Sequence, residues 1–441
     1  MEASITQLGL SNYLINKKAP AVSFFRHAYK NYANFVKDTR EVEFKNGFRF
    51  GQTAGFRFDE DGKYGDLVTN IILAVDLPDL TGYTNVNGFQ FGYCNGVGNA
   101  LIENVELRIN GNLIDRHSAE FMDTYGQLTV KPGCKENYFD DIQQYSTAGY
   151  NPTNFKGGRV FIPLQFWFCR NISSRNSSLV FPLCSIYNST IELNVDVRTL
   201  QQVLAVQDNV LTGAPNLEIV KGSLYVDYVI LEEQERLLYV KAPRQMNVIN
   251  QVQTYTYSIA AGTKEQTFSL KSMHYPVIEL IFFVRRNDAE STNDYFNYST
   301  TLNTTNRKNP VQTVRLMYDG RDRIRTISAN NFIKCETPKI HTNTPVNKFI
   351  HTYSFALEPE KIEQPNGMCN FSEIQEGLLH LSFTENITAS TLYVFAVNYN
   401  VLICGNGNAT LLHYLSKSVP TTLPDVECSE TTMPNVKSQN P

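Results

Sequence analysis

The sequence predicts an all-β protein, a sandwich or barrel architecture repeated in two similar halves. Three observations carry that reading. Short runs of β-branched and aromatic residues recur about every ten positions between clusters of Gly, Pro, Asn and Thr, the punctuation of antiparallel sheets; the chain holds 24 Tyr and 27 Phe but a single Trp. At 441 residues it is too long for one ordinary core, and it suits two domains of roughly 200 residues each. One stretch is also restated: VELRINGNLIDR at 105–116 returns 209 positions later as VRLMYDGRDRIR at 314–325.

Taken in order, the elements support the duplication. VTNIILAV (68–75) is an apolar, β-rich run, and the same shift lands on VIELIFFV (277–284). Val105, Leu107 and Ile109 alternate with Glu106 and Arg108, the period of a half-buried strand. Asn110-Gly111 then accepts positive φ at both central positions of a tight turn. In the second copy Val314, Leu316 and Tyr318 alternate with Arg315 and Met317, and Asp319-Gly320 makes the turn. SLYVDYVIL (223–231) and TLYVFAVNYNVLI (391–403) close the two halves at a shorter spacing, so loop lengths differ between the copies. Helical periodicity is confined to short stretches near 117–126 and 232–240. Phe161, Phe166, Trp167, Phe168, Tyr225 and Tyr228 fall in strand-like contexts and are expected in the core. The polar stretch 285–310 reads as a long exposed loop. Residues 79–100 are its counterpart in the first half, and 128–157 form a third loop.

Composition limits the chemistry. A formal net charge of −4 argues against broad nucleic-acid binding. No leader-like segment opens the chain, and no apolar run approaches the ~20 residues that span a bilayer, so a soluble protein of a reducing compartment is expected. The eight cysteines (94, 134, 169, 184, 335, 369, 404, 428) form no CxxC pair and read as buried free thiols. Asn-x-Ser/Thr sequons occur at Asn171, Asn176, Asn188, Asn297, Asn303, Asn370, Asn386 and Asn408, but ordinary N-glycosylation is not expected without a leader.

Catalytic signatures are missing. A cupin-like metal site needs clustered imidazoles, because two ligands two apart on a strand share a face. The seven histidines, at 27, 117, 274, 341, 351, 380 and 413, are never closer than ten residues. FDEDGKYGD (58–66) lacks the alternating oxygens of a Ca²⁺ loop and reads as a solvated turn. NGVGNA (95–100) and GNGNAT (405–410) fit neither dinucleotide nor phosphate-loop spacing, and the first is expected to lead into a strand rather than a helix. No GxSxG is present. The expectation is therefore no catalytic residues, no cofactor-binding residues and no metal ligands.

Four stretches resemble one family, the major capsid proteins of nucleocytoplasmic large DNA viruses, of the chlorella virus and iridovirus type. VSFFRHAYKNYANFVKD (22–38) is similar to the family's opening strand. FIPLQFWFCRN (161–171) and LVFPLCSIYNSTIEL (179–193) resemble its most recognisable motif, with Pro163-Leu164 and Pro182-Leu183 in place. YVDYVILEEQER (225–236) resembles the end of the first domain. YSFALEPEKIEQPNGMCNFSEI (353–374) and NYNVLI (398–403) close the pattern. Two departures stand out: ISSRNSS replaces a shorter apolar link after Asn171, and the chain runs on past Ile403 through 415–441.

The resemblance implies a double jelly roll: two tandem eight-stranded antiparallel jelly rolls. It implies an N-terminal arm over 1–21, a first jelly roll over 22–238, a second over 239–413, and a flexible or docking tail over 414–441. It implies a structural subunit without enzymatic activity. Such a subunit homotrimerises into a pseudo-hexagonal capsomer within the icosahedral shell of the virion, after synthesis and assembly in host cytoplasm. The partners it implies are neighbouring capsomers and minor capsid proteins, with an internal viral membrane nearby, glycans on outer loops and no direct nucleic-acid contact. The alternatives are a capsid paralogue, a sugar-binding β-sandwich of spike or lectin type, and a two-cupin metalloenzyme, which the histidine spacing disfavours.

Overall fold

The computed structural model describes residues 33–58, 64–144, 155–170, 180–302, 306–345, 348–362, 364–384 and 387–412. The N-terminal arm, residues 22–32 of the opening-strand motif, most of the acidic turn at 58–66, the centre of the 128–157 loop and the C-terminal tail lie outside those residues.

Sixteen strands form the frame. In the first lobe they are β1 (Phe35–Glu43), β2 (Thr53–Arg57), β3 (Leu67–Leu77), β4 (Ile102–Ile109), β5 (Asn112–Ser118), β6 (Gly158–Pro163), β7 (Ile191–Val197) and β8 (Lys221–Leu231). The second lobe has β9 (Gln245–Ile259), β10 (Glu265–Ser269), β11 (Pro276–Arg286), β12 (Val311–Tyr318), β13 (Arg321–Ser328), β14 (His351–Ser354), β15 (Gly377–Phe383) and β16 (Ser390–Gly405). The first lobe sandwiches the sheet β1-β8-β3-β6 on β2-β7-β4-β5, and the second sandwiches β9-β16-β11-β14 on β10-β15-β12-β13. Adding eight to each strand number of one lobe yields the other. This is the double jelly roll, with every pairing in these sheets antiparallel.

The repeated hairpin is explained at the level of φ. Asn110 and Gly111 have φ of 51° and 77°, and Asp319 and Gly320 have 47° and 76°. Both turns therefore carry two successive left-handed residues, whose twist matches that of the strands they join. The short helices fall where the periodicity placed them, at α1 (Ala119–Thr129) and α2 (Glu233–Lys241). Ser118 ends β5 and caps α1, its hydroxyl accepting the Phe121 N–H at 3.3 Å.

Alternation also shows which faces are covered. Strand β7 is regular, with Ile191, Leu193, Val195 and Val197 inward. Strand β11 is different: every residue from Val277 to Arg285 is buried. Leu280, Phe282 and Val284 pack into the second lobe's own core, whereas Ile281 and Phe283 join a core continuous with the first lobe. A sheet buried on both faces loses its alternation, which is why VIELIFFV reads as an unbroken apolar run.

Three expectations need correction. Residues 97–101 form a short helix before β4, entered through Gly96 at φ 70°; its backbone is covered by Ile142, whose carbonyl accepts the Gly98 N–H at 3.0 Å. Phe166, Trp167 and Phe168 are buried, but in a turn after β6 and not in a strand. Of the seven described cysteines, all free, only Cys94, Cys169 and Cys404 are buried, while Cys134 and Cys335 are exposed on short helical segments.

A Cβ at Gly111 or Gly320 meets nothing within 4 Å, so substitution there acts through the backbone alone. Gly111→Ala and Gly320→Ala are each expected to cost about 1 kcal/mol, the penalty of a left-handed L-residue. Urea titration should show a lower midpoint with an unchanged slope.

Candidate functional site

The chemistry-bearing residues of this chain converge on the seam between the lobes. Glu120 lies in the first turn of α1, where the helix dipole favours an anion. Its carboxylate receives Arg285 Nη1 of β11 at 2.9 Å, and Arg198 Nη2, just after β7, lies 3.6 Å away. All three side chains are buried. Burial would raise the Glu120 pKa, but the two guanidiniums outweigh it and hold the carboxyl below the usual range. The arginines are themselves saturated. Arg198 Nη1 donates to the Ala100 carbonyl at 2.7 Å, and Arg285 Nη2 donates to Glu290 at 2.8 Å and to the Tyr393 hydroxyl. Arg198 also sits 4.3 Å from the Tyr295 ring centre and Arg285 4.7 Å from that of Tyr393, a favourable cation–π placement.

One turn along α1, Asp123 accepts the Gln144 side-chain amide at 2.7 Å and the Tyr298 hydroxyl at 3.0 Å, with Lys348 Nζ at 3.6 Å. Burial lowers the Lys348 pKa against the pull of Asp123 and Asp294. Below this pair Phe121 meets Phe395 edge-on at 5.4 Å, and Tyr298 stacks on Phe283 at 3.8 Å.

This geometry overturns the reading of 285–310 as an exposed loop. Tyr295, Phe296, Asn297, Tyr298 and Ser299 are buried. The Asn293 amide donates to the carbonyls of Gln201 and Leu204 at 2.7 and 2.8 Å, and the Tyr295 hydroxyl donates to the Gln202 carbonyl at 3.0 Å. The segment is polar because it satisfies backbone groups of the first lobe. Strand edges contribute as well. The Val252 N–H of β9 donates to Asp115 of β5 at 3.1 Å, and the Gln251 amide donates to the Ile114 carbonyl. The Asn343 N–H donates to the Leu128 carbonyl at 2.8 Å, and the Asn188 N–H donates to that of Gly407 at 2.8 Å.

Among the described residues, no group of three or more His, Cys, Asp or Glu side chains converges as a metal site would require. His117 packs against Asp115 at 2.9 Å, and burial lowers its pKa. An open cleft of about 370 Å³ is lined by Phe58, Tyr64, Asp66, Cys184, Tyr187 and Arg236. There Asp66 is engaged by Arg236 at 2.9 Å and by the Leu231 N–H at 2.8 Å, while burial pushes the Cys184 thiol up to about 11. Sequence reasoning missed Glu120, Arg198, Arg285, Tyr298 and Lys348. The only signal was Arg285-Arg286 closing an apolar strand.

Two buried histidines of the second lobe are tuned in opposite directions. Burial pulls His341 down, but Glu279 and Glu360, each at 3.0 Å, outweigh it and push the pKa up to about 9. Among the described residues, His351 has no acid beside it. Burial takes its pKa down to about 4, with one ring nitrogen 3.1 Å from the Asn309 amide and the other 3.3 Å from the Phe282 carbonyl.

Glu120→Ala leaves the buried Arg198 without its anion and Arg285 with only the exposed Glu290, and is expected to cost about 3–5 kcal/mol, read by chemical denaturation. Deleting 290–308 is expected to abolish soluble, folded chain, because it opens the seam. The pH dependence follows from linkage. His341 has a raised pKa, so it stabilises fully below its unfolded value of about 6.5 and loses this as pH rises toward about 9. His351 has a lowered pKa, so it stabilises above about 6.5 and loses this as pH falls toward about 4. In melting-temperature profiles, His341→Gln should flatten the alkaline limb and His351→Gln the acid limb.

Comparison with known proteins agrees with this two-lobed architecture. Residues 23–232 match the family described as "Major capsid protein N-terminus", and residues 235–410 match "Large eukaryotic DNA virus major capsid protein". The chain is 29% identical over 407 residues to the major capsid protein of Pyramimonas orientalis virus, covering 89% of this chain and 94% of that one. It is 25% identical over 442 residues to the major capsid protein of Paramecium bursaria Chlorella virus 1, covering 89% and 95%. Among solved structures, a quasi-atomic model of the PBCV-1 virus capsid superposes with a TM-score of 0.72 at 22% identity, covering 89% of this chain and 100% of that one. The Faustovirus major capsid protein superposes at 0.69 and 12% identity, covering 90% and 94%. The chain belongs to the family of major capsid proteins of large eukaryotic DNA viruses.

Proposed function

We propose that this chain acts by assembly and not by catalysis. Three copies form a pseudo-hexagonal capsomer that tiles the icosahedral shell of a large double-stranded DNA virus. The observation that carries this reading is the buried Glu120 seam, which locks two lobes of identical strand order into one block. Two similar lobes per chain place six around a threefold axis, and head-to-tail contacts under threefold rotation close into a ring. Rigid sandwiches with short edges suit such a role, because exposed edges do not invite uncontrolled pairing.

In this reading the lobes span 22–238 and 239–413, in keeping with the two family matches. The segments 1–21 and 414–441 are arms available to neighbouring capsomers, to minor capsid proteins or to a surface near an internal membrane. The chain works in the virion shell and does not read nucleic acid. Of the sequons, Asn297 is buried and unsuited to carry a glycan, whereas Asn188 and Asn408 are exposed.

Native mass spectrometry of the purified chain is expected to show a trimer, and negative-stain images a hexagonal outline. The trimer contact should bury more than ~2,000 Å² in total. A monomer under all conditions overturns the proposal.

A further inference from the structure

The charged pairs of the seam differ in how tightly they close. Glu120 meets Arg285 at 2.9 Å, whereas Asp123 Oδ2 lies 3.6 Å from Lys348 Nζ. An ammonium and a carboxylate joined by a charge-assisted hydrogen bond approach to about 2.7–2.9 Å, so this pair is adjacent without being locked. The amine instead donates to the Phe296 carbonyl at 3.0 Å and stands 5.5 and 5.7 Å from the ring centres of Tyr298 and Phe296. Asp123 comes from α1 of the first lobe, and Lys348 from the segment before β14 of the second. The next residue, Phe349, is left-handed at φ 52°, a conformation that a bulky residue keeps only where its surroundings impose it.

The Asp123 carboxyl is polarised unevenly. Oδ1 receives the Gln144 amide at 2.7 Å and the Gln127 amide at 3.4 Å, and the Gln127 amide also donates to Gln144 at 2.9 Å. Donors fixed on one oxygen stabilise the negative charge that gathers there when the carbon becomes tetrahedral. Oδ2 faces the lysine amine and the Tyr298 hydroxyl, which donates to it at 3.0 Å. One oxygen is thus held, and the other is supplied with protons. The Asp123 side chain is fully buried and that of Lys348 is 15% exposed. Burial favours the neutral, nucleophilic form of the Lys348 amine, aided by Arg307 and opposed by Asp123 and Asp294.

We propose that Lys348 Nζ and Asp123 Cγ join in an intramolecular amide, a covalent tie between the two lobes. The balance is internal. Lys348 gives one ammonium proton to Asp123 Oδ2, leaving an amine beside a carboxylic acid. Nζ then bonds to Cγ while Oδ1 carries the charge between its amide donors. The Cγ–Oδ2 bond breaks, and a second nitrogen proton, relayed through the Tyr298 hydroxyl, departs with Oδ2 as water. Nothing is oxidised or reduced, and no co-reactant is needed. The tie forms within one chain, so it does not depend on the capsomer reading.

Purified full-length chain, incubated, denatured and digested with trypsin, tests it by mass spectrometry. A branched product joining residues 117–135 to 340–361 is expected, lighter than the two peptides together by one water. Lys348→Arg keeps the positive charge and should yield no branched product. Tyr298→Phe keeps the ring on Phe283 and should slow linkage about 100-fold, the loss of a positioned proton donor. Wild-type chain that yields 117–135 and 340–348 only as separate peptides after prolonged incubation overturns the link and leaves an ion pair. A Tyr298→Phe chain that links at the wild-type rate overturns the proton route. Neither result touches trimer formation, which is measured separately.

Discussion

A carboxylate buried between two arginines governs this molecule. Glu120 cannot sit in the interior without both cations, and one of them belongs to each lobe. Removing charges from water is costly, and the pairing recovers the cost only where geometry is good and the remaining donors are satisfied. Here they are, through the Ala100 and Ile102 carbonyls, Glu290 and Tyr393. Such a network adds little net stability over an apolar seam of the same shape. It does specify one arrangement, because sliding the lobes by a single residue would strand a charge. For a subunit whose contacts with its neighbours depend on the angle between its lobes, a single fixed arrangement matters more than a few kcal/mol.

The seam explains the composition of the segments around it. The stretch after β11 is polar and lies against the first lobe, where its side chains close hydrogen bonds that the first lobe's loops leave open. The two histidines near it show the same economy of placement. His341 is held between two acids, and His351 is held neutral beneath Phe282. Their opposed responses leave the second lobe best supported near neutrality.

Much of the frame was legible from residues alone. Asn110-Gly111 and Asp319-Gly320 fixed the repeated hairpin because few residue pairs accept two left-handed positions in a row. The strands at 68–75 and 277–284, the closing strands and both short helices fell where period and turn chemistry put them. The site was much less legible. Polarity normally reports exposure, and at 293–299 it reports instead a partner that belongs to the other lobe, far away in sequence. Glu120, Arg198 and Arg285 carry no local pattern, since an ion pair between distant elements leaves no spacing to read. NGVGNA was misread for a related reason: its five-residue helix is stabilised by burial under Ile142 and not by helix propensity.

Strand β11 has a consequence for biosynthesis. Both of its faces are apolar, and one of them is satisfied only by the lobe made earlier on the ribosome. Finished first, the N-terminal lobe offers a ready surface on which the second sheet can condense as it emerges. A second lobe translated without it would display Ile281, Phe283, Phe395 and Val397 to water along one broad sheet, a template for clumping. Gene order and folding order are thereby tied, because the sheet that needs a covering surface emerges after the lobe that supplies it.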